Sequence, residues 1–139
     1  MKRGEPSPEG SEGIAARFNR CECARLLGME VTGTWPGGAR VVMDPEGKRN
    51  PNGVLHGGAI FSLADHAFGL AANTGEIPQV AVSATITYLS PAKGRLEAVA
   101  YRIAETGTHS LFNVRVYEGK RLVAILEGIG IREEEKQDG

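Results

Sequence analysis

The sequence predicts an α+β fold, a curved antiparallel sheet wrapped around one long buried helix. Three observations predict it. Residues 58–73 form a strongly apolar helical stretch, long strand-like segments ended by turn residues follow it, and a short hairpin precedes it. A lone apolar helix must be covered on most sides, and an antiparallel sheet curled around it is the economical cover.

At 139 residues the chain suits one domain with one core. Its 41% hydrophobic and 24% charged residues are ordinary for a globular protein, and a formal net charge of −1 gives no field toward nucleic acid or an anionic membrane. Residues 1–13 are rich in Gly, Pro, Ser and charge and lack an apolar run, so they read as a disordered lead-in and not as a signal peptide. Residues 14–132 make the domain, and 133–139 read as a frayed tail. No stretch approaches the roughly 18 apolar residues of a membrane span. Cys21 and Cys23 are too close to staple distant parts of a fold, and two thiolates do not complete a zinc site. Reduced thiols, a cytoplasmic location and no metal are the expectation.

Residues 14–27 read as one short helix, with Ile14, Phe18, Leu26 and Leu27 on its apolar side and Gly28 ending it. Residues 29–35 and 39–43 read as strands, joined by the turn chemistry of Trp35-Pro36-Gly37-Gly38. Residues 44–53, with two prolines, two asparagines and two glycines, read as a loop. The stretch 58–73 is about 24 Å of helix. Its apolar residues fall on nearly every face, which predicts burial nearly all round. Thr74-Gly75 and Pro78 end it. Val80, Val82, Ala84, Ile86 and Tyr88 then alternate with Ser83, Thr85 and Thr87, and residues 90–94 turn the chain. Strands at 96–104, 109–118 and 121–131 follow, the last two joined by a tight hairpin at Glu118-Gly119-Lys120.

The chemistry gathers around His56-Gly57-Gly58 and Asp65. His56-Gly57-Gly58 stands where loop becomes helix, so the first backbone N–H groups have no intrahelical acceptor and the dipole favours negative charge. Glycine lets a ligand approach that backbone, and a carbonyl oxygen gaining charge during acyl transfer would be stabilised there. The glycines equally suit a tight helix start. Asp65 is the odd residue of the apolar helix, with Phe61 and Phe68 about one turn to either side. A carboxylate in such surroundings is costly unless hydrogen-bonded or protonated, which marks it as a base or nucleophile with a raised pKa, or as the anchor of a structural contact. His56 and Asp65 are nine residues apart, hence on opposite helix faces and about 13 Å apart. Two such helices packed antiparallel about a twofold axis would bring His56 and Gly57 of one subunit to Asp65 of the other, so a site using both requires at least a dimer. Ser62 and His66 at i,i+4 lack the exposed elbow of a serine nucleophile. A zinc site from His56, Asp65, His66 and His109 lacks ligand spacing.

Residues 50–73, with Asn50, His56-Gly57-Gly58 and Asp65 in the spacing Asn-x5-His-Gly-Gly-x7-Asp, resemble hotdog-fold acyl-CoA thioesterases of the PaaI type from phenylacetate degradation. The run Ile86-Thr87-Tyr88-Leu89-Ser90-Pro91-Ala92 is similar to that family's strand and following turn. The resemblance implies a hotdog fold and an acyl-CoA thioester hydrolase without cofactor, normally a homotetramer built from hotdog dimers. It implies that Asp65 activates water or attacks the thioester, that the Gly57 amide polarises the carbonyl with His56 bonded nearby, and that Asn50 lines the site. It implies too that Ser83 helps to hold the attacking water. Phe61 and Phe68, with Tyr88 and the N-terminal helix, are expected to shape an aryl or medium-chain acyl pocket. Lys93, Arg95, Thr108, His109 and Ser110 are expected to contact coenzyme A. A non-catalytic acyl-CoA sensor and an acyl-thioester hydratase are the alternatives. The sequence names no acyl group, and no nucleic acid or membrane partner is expected.

Overall fold

A computed structural model describes residues 13–133. The expected lead-in and tail lie, apart from Gly13 and Glu133, outside the described residues. The elements are α1 (Ile14–Asn19), α2 (Glu22–Leu27), β1 (Met29–Trp35), β2 (Gly38–Met43), α3 (Gly57–Ala72), β3 (Gln79–Tyr88), β4 (Leu96–Glu105), β5 (His109–Glu118) and β6 (Arg121–Arg132). All pairings are antiparallel in one sheet of order β1-β2-β4-β5-β6-β3. The chain leaves β2, crosses the concave face of the sheet as α3, and returns as β3 on the far edge. This is the predicted α+β arrangement of a curled sheet around one helix.

Turn chemistry fixes the two tight hairpins. Trp35 pairs with Gly38 around Pro36-Gly37, where proline presets φ and Gly37 takes φ 76°. Glu118 pairs with Arg121 around Gly119-Lys120, with Gly119 at φ 62°.

The core lies between α3 and the inward rows of the strands. Leu63, Ala64, Ala67, Phe68, Leu70 and Ala71 of α3 are buried against Val41, Met43, Ala98, Ala100, Phe112, Val114 and Leu126. Small residues on both sides allow the helix to approach the sheet closely. The tightest point is Phe68, whose ring lies over Gly128 and packs on Phe112 with centroids 5.5 Å apart.

Three sequence expectations need correction. The helix foreseen at 14–27 is two helices, broken at Arg20-Cys21, where Cys21 is extended. Asn19, the last residue of α1, accepts the Val31 N–H with its Oδ1 at 2.9 Å, which ties the end of α1 to β1. α3 is not buried all round either. Gly58, Phe61, Ser62, Asp65, His66 and Gly69 lie along a flank that the sheet does not reach, and α1 shields only its His66–Gly69 part. Lastly, the alternation foreseen along β3 is interrupted by a register shift between Ala81 and Ser83. Ala84 and Ile86 pack on the core as foreseen, whereas Val80 and Val82 are about half exposed, at 48% and 51%.

A methyl group on Gly128 would sit 2.7 Å from two carbons of the Phe68 ring, inside a filled core. Gly128→Ala is therefore expected to lower unfolding stability by about 1–3 kcal/mol in urea titration. An unchanged midpoint would show that the helix does not press on the sheet at this point.

Candidate active site

The loop before α3 is knotted by its own backbone. Asn50 Oδ1 accepts the N–H groups of Asn52 and Val54 at 2.9 and 3.2 Å, and the Asn50 N–H donates to Val54 O at 2.7 Å. Gly53 takes φ 83° to make this turn. The His56 N–H donates to Lys48 O, and the Leu55 N–H to Ala92 O, both at 2.8 Å. Asn50, foreseen as lining the site, thus shapes the loop that delivers the helix start.

At that start His56 is extended (φ −65°, ψ 136°) and caps the helix, its Nδ1 accepting the Gly58 N–H at 2.8 Å. The His56 carbonyl accepts from Ala59 and Ile60 at 2.9 and 3.2 Å. Among the described residues the Gly57 N–H has no acceptor. It is an amide donor at the positive end of a sixteen-residue helix, the kind of group that can polarise a carbonyl. The Gly57 carbonyl, by contrast, accepts from Tyr88 Oη at 2.9 Å. A cavity of about 370 Å³ opens on one side of this start, lined by Leu27, Lys48, Arg49, His56 and Ser62 among others. A second, of about 350 Å³, lies against Gly57, Ile60, Tyr88, Leu89 and Pro91.

Asp65 stands two turns into α3 on the open flank, exposed in the single chain. Partial burial among apolar neighbours raises its carboxyl pKa above the ordinary value, and His66 beside it works in the opposite direction. His66 is half-buried. Its ring lies 5.2 Å from that of Phe18, and its Nε2 is buried without a hydrogen-bond partner. Desolvation holds its pKa below the usual imidazole value, against the opposing effects of a hydrogen bond to the Phe18 backbone and of Asp65. His66 is thus a packing residue for α1.

The remaining site residues foreseen from sequence are scattered. Phe61 is half-buried one turn before Asp65. Phe68 is 1% exposed in the core against Gly128 and Phe112, so it lines no surface pocket; helical periodicity alone could not tell the two phenylalanines apart. Ser83 pairs with Ile129 and precedes the core residue Ala84, which sets it on the sheet face turned away from α3. The structure does not bring it to Asp65 of the same chain.

Lys93 follows Ala92, whose carbonyl accepts from Leu55 just before α3, and Arg95 is bonded to Asp44 at 2.7 Å. Thr108 and His109 bond each other at 2.7 Å in the β4–β5 turn, and Ser110 is fully buried, 3.3 Å from an Arg132 nitrogen that donates to it. That turn lies beside the other end of α3, where Thr74, Glu105 and Arg132 border one cavity. The two groups form no common site within one chain. Sequence reading missed the Tyr88–Gly57 hydrogen bond, because residues 31 apart carry no local signal of their register.

A sheet curled around a single helix, whose start leaves an amide free and whose open flank carries a carboxylate, is the hotdog arrangement. The thioesterase superfamily matches residues 52–125, and the chain belongs to it. Within that superfamily it is a hotdog thioester hydrolase of the PaaI type. It is 32% identical over 119 residues to the acyl-coenzyme A thioesterase PaaI of Escherichia coli K12, covering 81% of this chain and 84% of that protein. The solved structure of the E. coli PaaI protein from the phenylacetic acid degradation operon is similar at TM-score 0.80 and 28% identity, covering 86% of this chain and 89% of that one. A variant of the phenylacetic acid degradation protein PaaI from Thermus thermophilus is similar at TM-score 0.76 and 33% identity, covering 80% and 98%.

The raised pKa of Asp65 has a consequence for stability. A carboxylate whose folded pKa exceeds its unfolded value of 3.8 destabilises the fold progressively as pH rises through the interval between the two. Asp65→Asn is thus expected to raise Tm at pH 7, and the advantage should vanish below pH 3.8, where the carboxyl is protonated in both states. A variant melting lower than the parent at pH 7 would contradict the assignment.

Proposed function

We propose that this protein hydrolyses acyl-CoA thioesters with an aryl or medium-chain acyl group, releasing the free acid and coenzyme A. The acyl-CoA class follows the name of the E. coli relative. The observation that carries the mechanism is the pairing of an unsatisfied Gly57 N–H at the helix start with a carboxylate, Asp65, about 12 Å further along the same rod. The two serve one reaction when they come from different subunits. The Gly57 N–H binds the thioester oxygen as it gains charge, and His56 keeps the helix start in shape. Asp65 of the partner takes a proton from water as the water oxygen attacks the carbonyl carbon. The C–S bond then breaks, and the sulfur leaves as the thiol by taking up the proton that Asp65 accepted from water. Direct attack by Asp65, through a mixed anhydride that water cleaves, uses the same geometry. No cofactor is required.

A homo-oligomer, at least a dimer and as a full assembly a tetramer, is part of this proposal. β3 is an edge strand without a charged residue, and Ile77, Val80, Val82 and Leu89 on and beside it are about half exposed. A long apolar edge of this kind is normally covered. Antiparallel pairing of two β3 edges about a twofold axis would cover it and set two α3 helices side by side. We place the assembly in the cytoplasm, and no helix of the described residues is long and apolar enough to cross a membrane.

Thiol release measured over a panel of acyl-CoAs is expected to favour aromatic or medium-length chains, and activity confined to very long chains would contradict the proposal. Asp65→Asn and Asp65→Ala are expected to lose at least about 100-fold in kcat, within the range of a general base. Tight acyl-CoA binding without turnover would instead identify a sensor. Single-turnover hydrolysis in oxygen-18 water places label in Asp65 only by the anhydride route. Light scattering should give at least a dimer, and a fully active monomer would overturn the shared site.

A further inference from the structure

The two peptide units that meet at Gly57 differ in how they are held. The first contains the His56 carbonyl and the free Gly57 N–H, and its carbonyl is fixed by Ala59 and Ile60. The second contains the Gly57 carbonyl and the Gly58 N–H. A side chain reaches each of its polar atoms, His56 Nδ1 the N–H at 2.8 Å and Tyr88 Oη the carbonyl at 2.9 Å, the latter in addition to the helical bond that the carbonyl accepts as the first of α3. Helical bonds hold both planes, but two successive glycines leave this first turn easier to deform than the rest of α3, because neither residue has a Cβ to restrict φ and ψ.

Packing enforces the same contact. A Cβ on Gly57 would lie 3.3 Å from both Cζ and Oη of Tyr88, so the ring rests directly on the glycine. Tyr88 itself is well anchored. It pairs with Ala124 at the end of β3, and the next N–H, that of Leu89, donates to Val123 O at 2.8 Å. The following turn is pinned by Arg121, which donates to Ser90 Oγ and Pro91 O at 2.6 and 2.9 Å. Ala92 O then accepts from Leu55, two residues before Gly57. Sheet, turn and helix start thus form a closed mechanical loop with the Tyr88 hydroxyl as its last link.

We infer that Tyr88 is a positioning residue for carbonyl polarisation: through the Gly57 carbonyl it anchors the helix start to the end of β3 and so holds the Gly57 N–H in place. The inference rests on the proposed role of that amide and adds a residue to it. Tyr88 touches no reacting atom. Its hydroxyl restrains movement of the helix start against the sheet that would otherwise misplace the amide in the transition state, so its loss should appear in kcat and leave substrate binding alone.

The test compares wild type with Tyr88→Phe, which keeps the ring over Gly57 and deletes only the donor. Steady-state kinetics use the acyl-CoA that the wild type hydrolyses fastest. The carbonyl carbon-13 shift is recorded for a bound dethia analogue, a ketone with methylene in place of the thioester sulfur. In wild type the ketone signal should move downfield on binding, as a polarised carbonyl does. In Tyr88→Phe we expect kcat to fall roughly 10- to 100-fold, as misplacement of a catalytic group does, KM to stay within about twofold, and the ketone signal to return toward its free position. Wild-type kcat in the variant, or a joint change in kcat and KM with an unaltered ketone shift, overturns the role of Tyr88 and leaves the Gly57 amide in place. An unshifted ketone in the wild type overturns the role of the amide, and that of Tyr88 with it.

Discussion

The architecture depends on how closely α3 approaches the sheet. Ala59, Ala64, Ala67 and Ala71 on the helix meet Ala98, Ala100, Ala124 and Gly128 on the strands, and all of them are buried. Small side chains on both surfaces let strands bend around the helix where larger ones would hold them off. Phe68 is the exception. It fills the space over Gly128 that the missing side chain leaves, and so converts close approach into a fixed rotational setting of the helix. With that setting fixed, the residues opposite the sheet are fixed too, and they are the flank that carries Phe61 and Asp65.

The same constraint governs the helix start. α3 cannot slide along the sheet without lifting Phe68 from Gly128, so Gly57 is held at one height beside the end of β3, where Tyr88 reaches it. The loop from Asn50 to Leu55 delivers the chain to that point and is closed by backbone bonds and by the Asn50 side chain, its inner strut. Among the described residues, the backbone N–H groups from Leu55 to Gly58 all find acceptors except that of Gly57. An unsatisfied donor is a stability cost, commonly about 1–3 kcal/mol when buried. Half-exposed Gly57 bears less of it, which makes a free amide at this place tolerable.

Much of this was legible in the sequence, for identifiable reasons. Pro36-Gly37 and Gly119-Lys120 declare their hairpins because only particular backbone angles suit a two-residue turn. The helix at 57–72 declares itself by length and apolar content, and the His-Gly-Gly start by its spacing to Asp65. What stayed hidden depends on register between distant segments. The break at Arg20-Cys21 comes directly after Asn19, which is tied to Val31 in the next strand, a contact that the local sequence does not announce. The shift at Ala81–Ser83 turns Val80 and Val82 outward although the written alternation runs straight through them, and Ser83 lies on the far face of the sheet. Phe61 and Phe68 differ by only about 20° around the helix, yet Phe61 stays half-buried while Phe68 sinks into the core over Gly128, a difference set by the sheet residue opposite and not by the helix pattern.

Stability and chemistry pull against each other along one helix. The faces that hold α3 in the sheet are apolar and close-packed, and a carboxylate there would have to be neutral. Asp65 therefore stands on the flank left open, where partial exposure keeps its charge tolerable and nearby apolar side chains still raise its pKa. That flank cannot be turned toward the amide of its own chain, since a helix is a rigid rod and the two groups are about 12 Å apart along it. In the proposed pairing a second copy resolves the conflict. It covers the open flank and the bare β3 edge, further desolvates Asp65 and brings the missing amide, so that the basicity of the carboxylate and the completion of the site arise from the same association step.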